Sequence, residues 1–250
     1  MAKVKSPFKI VGTLNDINFY IDQNNNNIAR EKGKTGVSKE EFARNPIFTK
    51  VKNHAKEFGR ASKKAQSFRA LAHAFFNRAK DGSFAGRANK LMLEIIEEDT
   101  INPHGERMFE NGIKTKEAKT YLIGFEGNKL RPLYKVLKTK WLWNEESSQL
   151  TIENFNPKTY IDWPEKANQV HLAIARTNWN YEENKFTTLF SEELLFPKEK
   201  KATKLQLQTN IPHGNHLQLV FLFIGFSIKE RKKTKELKRS NNTVTIIWSK

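Results

Sequence analysis

Residues 46–80 read PIFTKVKNHAKEFGRASKKAQSFRALAHAFFNRAK, thirty-five residues with proline only at the start and a single glycine, Gly59. Phe48, Val51, Ala55, Phe58, Ala65, Phe68, Ala72, Phe75 and Ala79 recur mostly at three- and four-residue steps, the spacing that gathers side chains on one stripe of a helix. The stretch predicts one long amphipathic helix, or two joined at Gly59. Lys52, Lys56, Arg60 and Lys63 form a second stripe, about 16 Å long at the ~1.5 Å rise per residue of an α-helix. Nine Lys/Arg stand against Glu57 alone, a net charge of +8. A solvated helix face usually mixes Glu with Lys at four-residue spacing; here the basic stripe has no acidic partner in sequence.

Upstream, Phe8 to Thr13 and Ile17 to Ile21 are rich in β-branched and aromatic residues, with Asn15-Asp16 between them. Gln23-Asn24-Asn25-Asn26-Asn27 supplies a second turn, because asparagine bonds its local backbone and tolerates positive φ. Residues 8–33 therefore predict a small β-meander. Ser38-Lys39-Glu40-Glu41 has the form of a capping box, and Asn45-Pro46 places a capping side chain before a proline at the first helical position. Downstream, Asp81-Gly82-Ser83 breaks the long helix, and Phe84, Ala88, Leu91 and Ile95 mark another that runs to about Asp99. Glu94, Glu97, Glu98 and Asp99 carry the wrong sign for the negative end of a helix dipole. An antiparallel hairpin with the basic helix would supply compensation and would neutralise part of the +8.

Residues 100–128 hold loop signals at Asn102-Pro103 and His104-Gly105, and a short helix is expected over Thr115 to Ile123. From about Leu130 the chain turns to short β-prone runs: Leu133–Lys138, Leu150–Phe155, Gln169–Arg176, Phe186–Phe190, Lys204–Gln208, Leu217–Ile228 and Thr243–Trp248. Such spacing without intervening helices predicts an antiparallel sandwich, and Leu217–Ile228, apolar on both alternating faces, is its expected central strand. The expected class is α+β: a basic domain over 1–128 (meander 8–33, helices 38–99, irregular 100–128) and an antiparallel β-sandwich over 129–250 with a basic loop at 229–239. Residues 145–228 carry a net −2, residues 1–90 a net +12 and the segment after 228 a net +6.

The whole chain of 250 residues has a formal charge of +17 and a pI near 9.9. That balance implies attraction to polyanions, whether DNA, RNA or an anionic surface, and carries no information about fold. With no cysteine, disulfides and thiolate metal sites are excluded, which suits a reducing interior. The N-terminus shows no apolar run of signal-peptide length, and the longest apolar run, Leu219 to Phe226, is too short to span a bilayer. A soluble, cytoplasmic protein is expected.

Gly12-Thr13-Leu14, Phe19-Tyr20, Ala29-Arg30-Glu31-Lys32-Gly33, Val37-Ser38-Lys39-Glu40, Asn45-Pro46, Glu57-Phe58-Gly59 and Gly105-Glu106-Arg107 form a pattern that resembles a family of uncharacterised basic bacterial proteins. The resemblance covers nearly the whole chain. It implies an architecture, namely an N-terminal hairpin, a basic helical region and a C-terminal sandwich-like domain, and no activity or site residue.

Catalytic constellations are weak. His213-x-x-His216 lies in a Pro-Gly-Asn loop with no third ligand nearby in sequence, and Glu94, Glu97, Glu98 and Asp99 are a magnesium-like cluster without a companion motif. There is no Walker loop, no dinucleotide fingerprint and no nucleophile elbow. His54 and His73 fall near the apolar side of the long helix, where core histidines are expected. No cofactor and no metal are expected, and no enzyme. The expectation is a non-catalytic nucleic-acid-binding protein that contacts DNA or RNA phosphates through Lys52, Lys56, Arg60, Lys63 and Lys64 and through Arg231, Lys232 and Lys233. Phosphate contacts position a protein without reading bases, so little sequence specificity is implied. The alternative is a structural or assembly protein whose sandwich self-associates or binds other proteins while the basic helices dock on acidic partners.

Overall fold

The computed structural model describes residues 2–33, 36–231 and 233–250. It has two compact units, Met1–Thr49 and Lys50–Lys250. In the first, strands β1 (Ala2–Lys3), β2 (Gly12–Leu14), β3 (Ile17–Ile21) and β4 (Asn27–Glu31) form an antiparallel sheet in the order β1-β4-β3-β2. Both asparagine turns form as their chemistry requires. Asn15 and Asn25 take φ of 50° and 64°, and the Asp22 carboxylate accepts from the amides of Asn24 and Asn26 at 2.9 and 2.7 Å. Residues 8–11, expected to extend the first strand, stay outside the ladder: the Asn27 side chain grips Ile10, accepting from its amide at 2.9 Å and donating to its carbonyl at 2.7 Å. Ser38 Oγ caps α1 (Lys39–Arg44) by accepting from Glu41 N at 3.0 Å. Asn45 caps a 3-10 turn, Pro46–Phe48, and the Phe42 and Phe48 rings meet at 5.0 Å.

The second unit opens with α2 (Thr49–Leu71), α3 (His73–Arg78), α4 (Phe84–Glu97), α5 (Phe109–Gly112), α6 (Lys116–Leu122) and α7 (Leu133–Val136), continues through β5 (Leu142–Asn144), β6 (Gln149–Phe155) and α8 (Pro157–Tyr160), and ends in β7 (Gln169–Asn180), β8 (Lys185–Phe190), β9 (Leu194–Pro197), β10 (Thr203–Gln208), β11 (Leu217–Glu230), β12 (Lys233–Glu236) and β13 (Thr243–Ser249). The long strands β7 and β11 pair along their length. β8 and β9 share the outer edge of β7, and β12 and β13 share that of β11. A second antiparallel sheet runs β10-β6-β5.

The alternation of β11 explains its apolar character on both sides. Leu222, Ile224 and Phe226 join Leu172 and Ile174 of β7 in a core with Leu150, Ile152, Leu205 and Leu207 of the smaller sheet. Leu217, Leu219, Phe221 and Phe223 join Ala173, Ala175 and Trp179 in a core with the helices. The class is α+β with antiparallel sheets, and the second unit has three layers: helices, large sheet, small sheet. Because one core joins Phe68, Phe76 and Leu91 to strand residues, the compact units divide at Thr49–Lys50 and not at residue 128.

Three local expectations change. The long helix continues through Gly59 and breaks at Ala72, whose φ of −122° and ψ of 47° leave the helical region. Leu133–Val136 is a helical turn and not a strand: Pro132 is extended at its N-cap, and Glu126 Oε1 accepts from Leu133 N at 2.9 Å. The segment 229–239 is not one loop: it holds the end of β11, a turn at Arg231 with φ of 52°, and β12. Among the described residues no helix is long and apolar enough to cross a membrane.

Candidate nucleic-acid interface

The face of α2 that packs inward is offset from the apolar stripe read in the sequence. Glu57, Ala61, Ala65, Phe68 and Leu71 are buried, whereas Val51 is 56% and Phe58 45% exposed. The carboxylate of Glu57, the only acid of the stretch, sets this phase. It accepts from Gly105 N at 2.7 Å, from Arg107 Nε at 2.8 Å and from Arg107 Nη2 at 2.7 Å. Those hydrogen bonds, led by the Arg107 guanidinium, hold its pKa at about 2, against the opposing effect of burial. Asn53 donates to the His104 carbonyl at 2.9 Å in the same seam. The first half of α2 is therefore seated on the loop 104–107 by polar groups, and only its second half by apolar ones.

Arg60 and Lys64 belong to that seam. Arg60 donates to the carbonyls of Arg107 and Gly105 at 2.9 and 2.6 Å. Lys64 pairs with Glu110 at 2.6 Å, donates to the Tyr181 carbonyl and lies 5.7 Å from the centre of the Phe109 ring. Both cations thus have partners within the fold. Lys52 is half-buried and not free. Lys56 and Lys63 are exposed, and among the described residues neither has an ion pair. If Arg60 holds the loop as this geometry requires, Arg60→Ala lowers the unfolding free energy by about 1–3 kcal/mol, the cost of leaving two carbonyls without their charged donor. Urea denaturation checks this, with Lys56→Ala expected within about 0.5 kcal/mol of the parent.

Beside Lys63 lies a groove of about 550 Å³, walled by Arg60, Gln66, Ser67, Met108 and Phe186. Met108 and Phe186 are 38% and 40% exposed. Since Lys64 is neutralised by Glu110, the charge that the groove offers is that of Lys63 and of Arg60, whose carbonyl partners hold its position without cancelling its charge.

From this groove α2 and α3 run along β8. Ser67 meets Asn184 at 3.3 Å, Thr188 donates to the Leu71 carbonyl at 2.6 Å, the Phe75 and Phe190 rings lie 5.1 Å apart, and Arg78 binds Glu193 and Glu236 at 2.6 and 2.9 Å. Glu236 stands opposite Ser227 at the base of the β11–β12 hairpin. Arg231 and Lys233 are exposed in that hairpin; Lys232 lies outside the described residues. The ion pairs of Arg78 thus tie the C-terminal end of α3 to the hairpin that carries Arg231 and Lys233.

The acidic end of α4 is compensated by the loop and not by the basic stripe. Asp99 is buried, and its carboxylate accepts from Ile101 N, Asn102 Nδ2, Met108 N and Asn111 Nδ2 at 2.8–3.2 Å. Burial pushes its pKa up, and these donors more than reverse that, leaving it well below the carboxylate range. Arg107 donates to the Glu97 carbonyl at 3.2 Å. His54 and His73 are exposed, contrary to their expected place in a core, because the buried stripe of α2 runs through Glu57, Ala61 and Ala65 and α3 buries Phe75 and Phe76 instead. The 213–216 loop is gripped by Asn178, which donates to the His213 carbonyl and accepts from His216 N at 2.8 and 3.0 Å.

One arrangement has no sequence signal. His171 Nδ1 lies 2.6 Å from Glu193 Oε1 and its Nε2 lies 2.7 Å from Ser227 Oγ. The contact with His171, strengthened by Arg78 and opposed by burial, holds the Glu193 pKa at about 2. The order is that of a serine hydrolase triad, which is recognised by geometry, but Ser227 is fully buried. A hydroxyl shut off from solvent meets no substrate. With Arg78 the chain of groups is a strut that ties α3 to β7, β11 and β12. Comparison with family models, with curated proteins and with solved structures returned no match.

Proposed function

We propose that this protein binds nucleic acid non-catalytically through backbone phosphates, with Lys56 and Lys63 as the principal contacts and Arg231 and Lys233 as a second cluster. The observation that supports this reading is that, among the described residues, Lys56 and Lys63 stay exposed without an ion pair, on a chain of charge +17, while their neighbours Arg60 and Lys64 have partners in the fold. The groove beside Lys63 adds an apolar wall of Met108 and Phe186 to the cationic rim.

Removing Arg60 and Lys64 from the contact set reduces the number of phosphates neutralised. With about four contacts the log–log dependence of affinity on salt has a slope of roughly −3.5 on a duplex and −3 on a single strand. Fluorescence polarisation of a labelled duplex and a labelled single strand of equal length over a salt series measures it. Lys56→Glu/Lys63→Glu is expected to weaken binding at least tenfold at about 50 mM salt and to make the slope shallower by roughly 2, with the circular dichroism spectrum unchanged. No binding of either probe by the parent protein at that salt overturns the reading, and so does binding that the double variant leaves intact.

A further inference from the structure

A second, larger cleft lies away from the basic helix, between β13, the segment that leads into α7, and residues 137–141. Its volume is about 640 Å³, within the roughly 300–1,000 Å³ of small-molecule sites. Ile123, Leu133, Leu137, Trp141 and Ile247 form its apolar walls, and Tyr134, 72% exposed, stands at its margin.

The polar groups of this cleft divide into satisfied and unsatisfied ones. Glu126 lies against it, but its carboxylate already accepts from Leu133 N at 2.9 Å, from the Thr245 hydroxyl and from the Thr243 hydroxyl at 3.4 Å. Lys138 has Asp162 at 3.7 Å. Lys140 lines the same cleft, is exposed, and among the described residues has no ion pair. An apolar interior whose Glu126 and Lys138 already have partners, with an ammonium at Lys140 that has no ion pair among the described residues, fits an amphiphile with an apolar body and a single negative charge. We infer that the cleft binds a soluble acyl carboxylate, its chain against Ile123, Leu137, Trp141 and Ile247 and its carboxylate paired with Lys140.

Titration of the full chain with dansylaminoundecanoic acid tests this. Saturable fluorescence enhancement is expected, reversed by dodecanoate below its micelle concentration. Lys140→Gln should weaken dodecanoate about fivefold, the loss of one ion pair at a partly exposed site, and leave dodecanol unchanged. Ile123→Glu, at a half-exposed wall position, should abolish binding of both; Tyr134→Glu serves as a second wall variant should the first fail to fold by circular dichroism. The inference is overturned if the probe does not bind saturably or if folded wall variants bind as the parent does. It is also overturned if Lys140→Gln weakens acid and alcohol equally. Co-sedimentation with phosphatidylglycerol vesicles without binding of the monomeric probe would place the charge preference on a lipid surface and equally overturn it.

Discussion

Glu57→Ala lowers the unfolding free energy by about 3 kcal/mol, the lower end of the cost of removing one partner from a buried ion pair. Glu57 is fully buried, while the Arg107 side chain keeps 19% of its exposure, so water relieves part of the stranded guanidinium. The effect is larger than for a surface pair because the same carboxylate also takes the Gly105 amide, leaving three N–H donors unmet. Adding Arg107→Met recovers part of the loss, since replacing both partners by apolar groups removes the stranded charge. The pH dependence follows from the sign of the shift. The folded-state pKa of about 2 lies below the ordinary 4.5, so the stabilisation is complete above pH 4.5 and is lost as pH falls towards 2. Asp99 acts in the same sense. Urea midpoints measured from pH 7 down to 3 should therefore converge for parent and Glu57→Ala; a gap that stays constant would show that the carboxylate is not held by Arg107.

Much of the fold was legible because its signals are local. The asparagine turns, the Ser38 cap, the breaker at Asp81-Gly82-Ser83 and the alternation of Leu217–Ile228 each depend on residues close together in sequence. What the sequence did not disclose depends on pairing over distance. Val51, Ala55 and Phe58 have the spacing of a core stripe, yet the buried line runs through Glu57 because Arg107, fifty residues on, brings donors to that side. One clue was present: a single acid among nine basic residues is out of place on a solvated face and marks a partner elsewhere. The same long-range pairing divided the expected contact residues. Arg60 lies four residues from Lys56 and three from Lys63, Lys64 lies next to Lys63, and all four share their chemistry; only the position of the 104–110 segment gives Arg60 and Lys64 partners in the fold. The His171–Glu193–Ser227 chain joins β7, the connection between β8 and β9, and β11, so no spacing rule anticipates it.

Gly112→Ala is expected to have the largest effect of any single methyl group in the chain. A Cβ on Gly112 would stand 1.8 Å from the Ile95 carbonyl oxygen and 2.9 Å from its carbon. Contacts under 3.0 Å are essentially never made by real Cβ atoms, so α5 would have to move about 1.2 Å from α4. No rotamer relieves the clash, since both atoms belong to or adjoin the backbone. Ile95 and Ile96 are fully buried at that contact, and the movement would also pull Met108 and Asn111 from the Asp99 carboxylate. A loss beyond about 4 kcal/mol is expected, at the extreme of single substitutions, with insoluble or unfolded protein as its sign. Gly59→Ala has the opposite sign. That glycine lies within α2 with nothing within 4 Å of the added Cβ, so alanine should raise stability by about 0.5–1 kcal/mol through helix propensity. The pair separates the α4–α5 contact from any general effect of replacing glycine: thermal midpoints that shift the same way in both variants would mean that α5 does not press its backbone against Ile95, and that the wall formed by Phe109 and Glu110 beside Lys64 is not anchored there.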